Sequence, residues 1–150
     1  MAFKHILVAT DFSDCSAHAV DIGVELAEQF SAELTLVHTW EVPNLGYGAA
    51  LYFPGDMLTP IEQAAQRELD AAATELQKRL PRAKAVLRAG VPWDEIIAAA
   101  ATAHADLIVL GTHGRRGVSR ALLGSVAERV VRLSPVAVLT VRGAQGPANG

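Results

Sequence analysis

Two runs of four consecutive apolar residues, Ile6 to Ala9 and Leu107 to Leu110, constrain this chain more than any other feature. A strand with one face in water alternates polar and apolar residues. A short strand with no polar side is covered on both faces, as in the middle of a parallel sheet. The first run is followed by Thr10-Asp11-Phe12-Ser13, a turn whose serine can cap a helix. Ala17, Val20, Val24 and Ala27 then recur at helical spacing until Phe30-Ser31.

The rest of the chain repeats this alternation. Residues 33–39 predict a second strand with Leu34, Leu36 and Val37 inward. Ile61 to Leu80 predicts a long helix with Ile61, Ala65, Leu69, Ala72, Ala73 and Leu76 on one face, ended by Pro81. Lys84 to Ala89 is a third strand, and Gly90-Val91-Pro92 turns into a helix from Trp93 to about His104, with Asp94 and Glu95 favourable at its positive end. Asp106 to Leu110 is the fourth strand, Ser125 to Leu133 a helix broken by Ser134-Pro135, and Val136 to Val141 the fifth strand. Strands alternating with helices imply right-handed crossovers and an α/β fold with a parallel sheet covered on both faces. Between Trp40 and Pro60 lies a long stretch holding Tyr47, Tyr52 and Phe53. Loops of this length are commonly lids or binding elements, and packing onto the domain explains its apolar content equally well.

The segment after the fourth strand carries the chemistry. Gly111, Gly114 and Gly117 break the chain, and Gly124-Ser125 opens a helix, with Arg115, Arg116 and Arg120 in between. Glycines let backbone approach an anion, and the free N–H groups and dipole of a helix start favour negative charge. A turn that simply needs glycine has the same composition. The segment lacks the Gly-Lys-Ser/Thr of a P-loop and the Gly-x-Gly-x-x-Gly dinucleotide fingerprint.

Composition narrows the function classes. At 150 residues the chain is long enough for one domain with a proper core. Its net charge of −3 makes no electrostatic case for nucleic acid. No apolar run is long enough to span a membrane, and the first residues enter a strand without a signal core, so the cytoplasm is the expected location. The single cysteine, Cys15, excludes an internal disulfide and falls in the first helix, as a small half-buried residue or a redox-active thiol. His5, His18, His38 and His104 are scattered, and no metal site is read from them. His113 beside a phosphate would act as an acid, a base or a plain hydrogen-bonding group. Ser125 opens a helix without a Gly-x-Ser-x-Gly elbow, which argues against hydrolase chemistry.

Gly111-x2-Gly114-x9-Gly124-Ser125 resembles the nucleotide-binding signature of the universal stress protein family. Val8-Ala9-Thr10-Asp11-Phe12-Ser13 resembles that family's opening motif, and Gly90-Val91-Pro92 a third landmark. The similarity runs from about Phe3 to Arg142, which gives one domain, residues 1–142, and a polar tail, 143–150, expected to be flexible. The resemblance implies a Rossmann-like three-layer sandwich of the adenine nucleotide alpha hydrolase type, with a five-stranded parallel sheet in the order 3-2-1-4-5. In that order the turns holding Asp11 and Gly111 meet at the switch point, where α/β sheets bind ligands.

It also implies a ligand, ATP with or without Mg²⁺, and a set of residues for it. Gly114, Arg115, Gly124, Ser125 and Val126 would take the phosphates, with His113 beside them and Ala127 in the same binding set, and Gly111 would let the chain pass close to the ribose. Ala9, Thr10 and Asp11 would line the nucleoside, Thr39 would read adenine through its backbone, and Gly90 belongs to the same nucleotide-binding set. Asp11 in a β–α turn has a second reading, a carboxylate bonding nearby backbone N–H groups. No dedicated base for water is evident, so at most slow ATP hydrolysis is expected from a nucleotide-dependent sensor or regulator in the stress response. The alternative is an interaction module independent of nucleotide. The last strand, Val136 to Val141, is apolar and would be an edge, and relatives commonly dimerise through it, so a homodimer is expected in either case. Ala137 stands where relatives often have proline.

Overall fold

The computed structural model describes residues 2–42, 56–113 and 123–143. Among the described residues five strands and four helices alternate: β1 (His5–Ala9), α1 (Asp14–Phe30), β2 (Glu33–Trp40), α2 (Leu58–Arg79), β3 (Lys84–Ala89), α3 (Pro92–Thr102), β4 (Leu107–Gly111), α4 (Ser125–Leu133) and β5 (Ala137–Val141). All pairings are parallel and the strand order is β3-β2-β1-β4-β5, as the resemblance implied.

The apolar runs fold as their composition requires. Successive residues of a strand point to opposite faces. Ile6 and Val8 pack with Leu34, Leu36, Leu107 and Val109 under α1 and α2. Leu7 and Ala9 pack with Val37, Ile108 and Leu110 under α3 and α4. In β2 all of Leu34 to Val37 is buried, including the hydroxyl-bearing Thr35, so burial there is wider than the three inward residues expected. The Thr35 hydroxyl is satisfied by His5 Nε2 at 2.8 Å.

Local signals set the helix ends. The Ser13 side chain accepts from the Ser16 N–H and caps α1, and Ser31, at φ 54°, terminates it in the left-handed conformation. Helix α2 starts at Leu58 rather than Ile61, because the Asp56 carboxylate accepts the N–H groups of Leu58 and Thr59, both at 3.0 Å, and the Thr59 hydroxyl donates to it as well. Pro60 sits within that first turn, where a missing N–H costs nothing. Ile61 is exposed, contrary to expectation, whereas Ala65, Leu69 and Leu76 are buried. The buried stripe of α2 therefore begins one turn later, at Ala65. The expected loop from Trp40 to Pro60 shortens accordingly, and its middle, 43–55, lies outside the described residues, as does the tail 144–150.

A polar clamp ties the starts of β1 and β4. The Asp106 carboxylate accepts the N–H of Lys4 at 2.9 Å and of His5 at 3.1 Å, while the Asp106 N–H donates to the His5 carbonyl. Partial desolvation pushes the Asp106 carboxyl up, but the N–H donors outweigh it and hold it below its ordinary value. Burial of the His5 ring pushes its pKa below 6.5; Glu33 opposes this, Lys84 adds to it, and weaker contributions from Asp106 and His104 have opposite signs. For His5 the folded state favours the neutral ring and the unfolded chain binds more protons. Stability is therefore full above about pH 6.5 and declines as pH falls through the lowered folded value. Asp106 contributes in the same direction only below the carboxylate range, where its anion is protonated. Urea midpoints of the wild-type chain should fall between pH 7.5 and 5.5, and His5→Gln should flatten that slope. An unchanged slope in His5→Gln would assign it to other groups.

Candidate functional site

The register puts the two informative turns side by side. Val8 pairs with Val109, and both strands run the same way, so the turn after β1 and the turn after β4 leave the sheet at its carboxyl end. Thr39 and Trp40, at the end of β2, and Gly90, after β3, lie at that same end, with the Gly90 N–H donating to the Trp40 carbonyl at 2.9 Å. Ala9, Thr10, Asp11, Thr39, Gly90, Gly111, His113, Gly124, Ser125, Val126 and Ala127 are therefore carried by elements that end or begin at one edge of the fold. Gly114 and Arg115 lie outside the described residues.

The β1 turn is heavily cross-braced. Thr10 extends the sheet, its N–H donating to the Val37 carbonyl at 2.9 Å. Its hydroxyl accepts the Phe12 N–H at 3.0 Å and lies 3.1 Å from Ser16 Oγ. Phe12 has φ 64°, a rare conformation for a bulky residue, which the surrounding structure must impose. Asp11 Oδ1 accepts the Ser13 N–H at 3.0 Å, so the carboxylate does serve the turn.

The β4 turn and α4 make the anion-facing half. The first ladder bond of α4 runs from the Glu128 N–H to the Gly124 carbonyl. The N–H groups of Ser125, Val126 and Ala127 consequently have no acceptor within the helix, and Gly124 supplies no side-chain cap. Ser125 is exposed, while Ala127 is buried and anchors the turn. Gly124 itself is not a spare donor: its N–H is given to the Thr112 carbonyl at 2.7 Å.

Two glycines have neighbours that the sequence does not reveal. A Cβ on Gly111 would lie 2.7 Å from Cys15 Sγ and 3.2 Å from the Cys15 carbonyl carbon, so Gly111 admits the first turn of α1. A Cβ on Gly124 would lie 2.7 Å from the Thr112 carbonyl oxygen. Gly90, at φ 144°, occupies a conformation that L side chains avoid, over the Glu95 side chain. Glu95 in turn pairs with Arg88 Nε at 2.8 Å, fixing α3 against β3. Cys15, half-buried, contacts the Val141 carbonyl at 3.5 Å and Thr112 Oγ1 at 4.0 Å. His113 Nδ1 lies 3.1 Å from the Thr112 hydroxyl. Arg129 stacks over Trp93 at 5.4 Å, joining the first two turns of α4 to the start of α3.

Sequence reasoning passed over Thr112, the acceptor that seats Gly124, and His38, which it grouped with the scattered histidines. Only the pairing of β1 with β2 gives His38 a role: its Nδ1 lies 2.8 Å from the Thr10 carbonyl.

A cavity of about 390 Å³ lies at the other end of the sheet, lined in part by His5, Glu33, Thr35, Lys84 and Arg88. Its Arg88 pairs with Glu95, His5 Nδ1 lies 3.4 Å from Glu33, and the His5 and Thr35 polar atoms already bond each other. The carboxyl end of the sheet is the better candidate, because the α4 N–H groups that have no acceptor within the helix open there. Among the described residues no group of three His, Cys, Asp or Glu side chains is placed to hold a metal ion. No helix among them is long and apolar enough to cross a membrane.

Known proteins share this fold. A universal stress protein of Methanocaldococcus jannaschii is 34% identical over 143 residues, covering 93% of this chain and 82% of that protein. The solved structure of a second universal stress protein of that organism matches with TM-score 0.80 at 25% identity, over 97% of this chain and all of the other. The universal stress protein from Archaeoglobus fulgidus in complex with dAMP matches with TM-score 0.62 at 25% identity, over 94% and 99% of the two chains. The universal stress protein family model spans residues 2–142, from the strand before Asp11 to the end of β5. With its sheet order, its braced β1 turn and its glycine-seated α4, the chain belongs to the universal stress protein family.

Proposed function

We propose that this chain binds an adenine nucleotide, ATP with or without Mg²⁺, and acts as a nucleotide-dependent sensor or regulator of a cytoplasmic stress response. The observation that carries the reading is the first turn of α4. Three N–H groups there lack helical acceptors, at the same sheet end as Asp11 and Thr39. Phosphates supply the acceptors such a turn lacks. The complex of the Archaeoglobus fulgidus relative with dAMP supports the same ligand class. In this reading Ser125, Val126 and Ala127 donate to phosphate together with Gly114 and Arg115, His113 flanks them, and Gly111 and Gly124 seat α1 and α4 against the β4 turn. Ala9, Thr10 and Asp11 line the nucleoside, and Thr39 and Gly90 bound the base. Hydrolysis is slow at most, because no dedicated base for water is evident.

Mass spectrometry of small molecules released from freshly purified, acid-precipitated protein tests this without choosing a ligand. Adenine nucleotide near one per chain is the expected result. Titration with Mg-ATP should also change the fluorescence of Trp40 and Trp93, both at the carboxyl end of the sheet. No released nucleotide and no response to titration would remove the reading.

A second reading, compatible with the first, is a homodimer through β5. Within the described sheet β5 pairs with β4 alone, and it carries the exposed Ala137 and Leu139. An apolar edge of this kind invites a second strand, and a lysine on it is a common block. Analytical ultracentrifugation at micromolar concentration should show a dimer for the wild type and a monomer for Leu139→Lys. A monomeric wild type would end the dimer claim.

A further inference from the structure

Resting on the nucleotide reading, we infer that His38 is a positioning residue for the site: it holds the Thr10–Asp11–Phe12 turn in the shape that presents Asp11. Three contacts converge on this. His38 Nδ1 lies 2.8 Å from the Thr10 carbonyl oxygen, which can only accept, so Nδ1 carries the proton and the ring is held in one tautomer or is protonated at both nitrogens. The His38 ring lies against Phe12, centroids 4.3 Å apart and tilted by 46°. Phe12 is the residue forced to φ 64°, and its N–H is held by the Thr10 hydroxyl.

The chain geometry explains why a histidine does this from β2. Ala9 pairs with Val37, and the Thr10 N–H continues the ladder to the Val37 carbonyl. The next bond of that ladder, which would engage the Thr10 carbonyl, is supplied by a side chain instead. His38 Nδ1 takes that place and frees the backbone after Thr10 to turn away from the sheet. Asp11 then stands between two residues fixed by the same ring. Thr39, the candidate adenine reader, is the next residue along β2. One imidazole thus couples both sides of the nucleoside end. Its polar and ring partners among the described residues, the Thr10 carbonyl and Phe12, both lie in the β1 turn, so its influence should fall on the nucleoside and not on phosphate.

Two substitutions separate the hydrogen bond from the bulk of the ring. In His38→Asn the side-chain amide nitrogen can reach the Thr10 carbonyl as Nδ1 does; in His38→Phe the ring contact with Phe12 is kept and the donor lost. Affinity for ATP and for inorganic triphosphate is measured by calorimetry on wild type and both variants. The expected result is that His38→Phe weakens ATP binding about tenfold, the effect of losing one hydrogen bond of roughly 1 to 1.5 kcal/mol. His38→Asn should stay within about threefold of wild type, which is well under the loss of a full bond. Triphosphate affinity should hardly change in either. Equal weakening in both variants, or loss of triphosphate affinity in parallel with ATP, would overturn the positioning role.

Long-range ¹H–¹⁵N spectra of the wild-type imidazole decide the point independently of ligand and of variant folding. A protonated Nδ1 is expected. A neutral His38 with its proton on Nε2 would overturn the inference. If wild type binds no nucleotide, the functional reading fails while the tautomer still decides whether His38 braces the turn.

Discussion

Gly124→Val should abolish useful nucleotide binding while leaving the domain folded. The backbone at Gly124, φ −60° and ψ 156°, is open to any residue, so the glycine is not there for its conformational freedom. The reason is distance. A Cβ would stand 2.7 Å from the Thr112 carbonyl oxygen and 3.5 Å from His113 Cα, both backbone atoms that cannot swing aside. That carbonyl also accepts the Gly124 N–H at 2.7 Å, so the two chain segments are already in contact. Valine must push the start of α4 away from the β4 turn. The rest of the helix stays anchored by Ala127 and Val130 in the core. The donors of Ser125 and Val126 move off the position they share with the β4 turn. Losing two charge-assisted hydrogen bonds of about 1.5 kcal/mol each weakens binding by more than about a hundredfold. Gly124→Ala meets the same first contact without the branched methyls and should lie between wild type and valine. Calorimetric titration with ATP, beside urea unfolding of each variant, is the measurement. Normal affinity in folded Gly124→Val would show that the α4 turn is not the phosphate site.

That prediction uses a contact the sequence does not contain, and the same limit recurs across the chain. The strands and helices were legible because hydrophobic period is a local property: β3 and α4 fall where the pattern puts them, and the remaining ends shift by a few residues. The start of α2 was missed because Asp56, which caps it, lies outside the periodic stretch. The strand order came with the family resemblance and from no periodicity. Glycines announce a close approach but not the neighbour. Gly111 and Gly124 were read as making room for a ligand, and both make room for protein: Cys15 of α1 and the Thr112 carbonyl. Their effect on a ligand is indirect, through the packing of α1 and α4 against β4. His38 was unreadable for another reason. Its partner, the Thr10 carbonyl, is twenty-eight residues away and reaches it through the β1–β2 register. What one sequence leaves out, then, is chiefly the side-chain-to-backbone bonds made across strands, and here those bonds shape the site.

Gly23 gives the largest expected effect on stability, and its role is likewise invisible in a one-dimensional pattern. Glycine inside a helix costs about 1 kcal/mol relative to alanine, so its place in the middle of α1 needs a compensating cause. The cause is the approach of α1 to the sheet. A Cβ on Gly23 would lie 2.5 Å from Val8 Cγ2 and 3.7 Å from Leu34 Cδ1. Val8 is fully buried in the central strand, its own position set by Leu36 and Val109 on either side. Fully buried, it can shift only against its packed neighbours. Gly23→Ala therefore gains helix propensity and loses packing, and the overpacking term, about 1 to 3 kcal/mol, wins. Gly23→Leu forces α1 off the sheet and should cost more than about 3 kcal/mol, a large part of the roughly 5 to 15 kcal/mol that holds a domain of this size folded. Thermal midpoints should fall by about 2 to 4 °C for each kcal/mol. The decisive comparison is Gly23→Ala with Val8→Ala. Val8→Ala alone opens a cavity, but the alanine at 23 fills part of it and no longer meets Cγ2. The double variant should be more stable than the sum of the single losses by at least about 1 kcal/mol, within the coupling range of residues in contact. Simple additivity in that cycle would mean that α1 does not rest on β1 at Gly23.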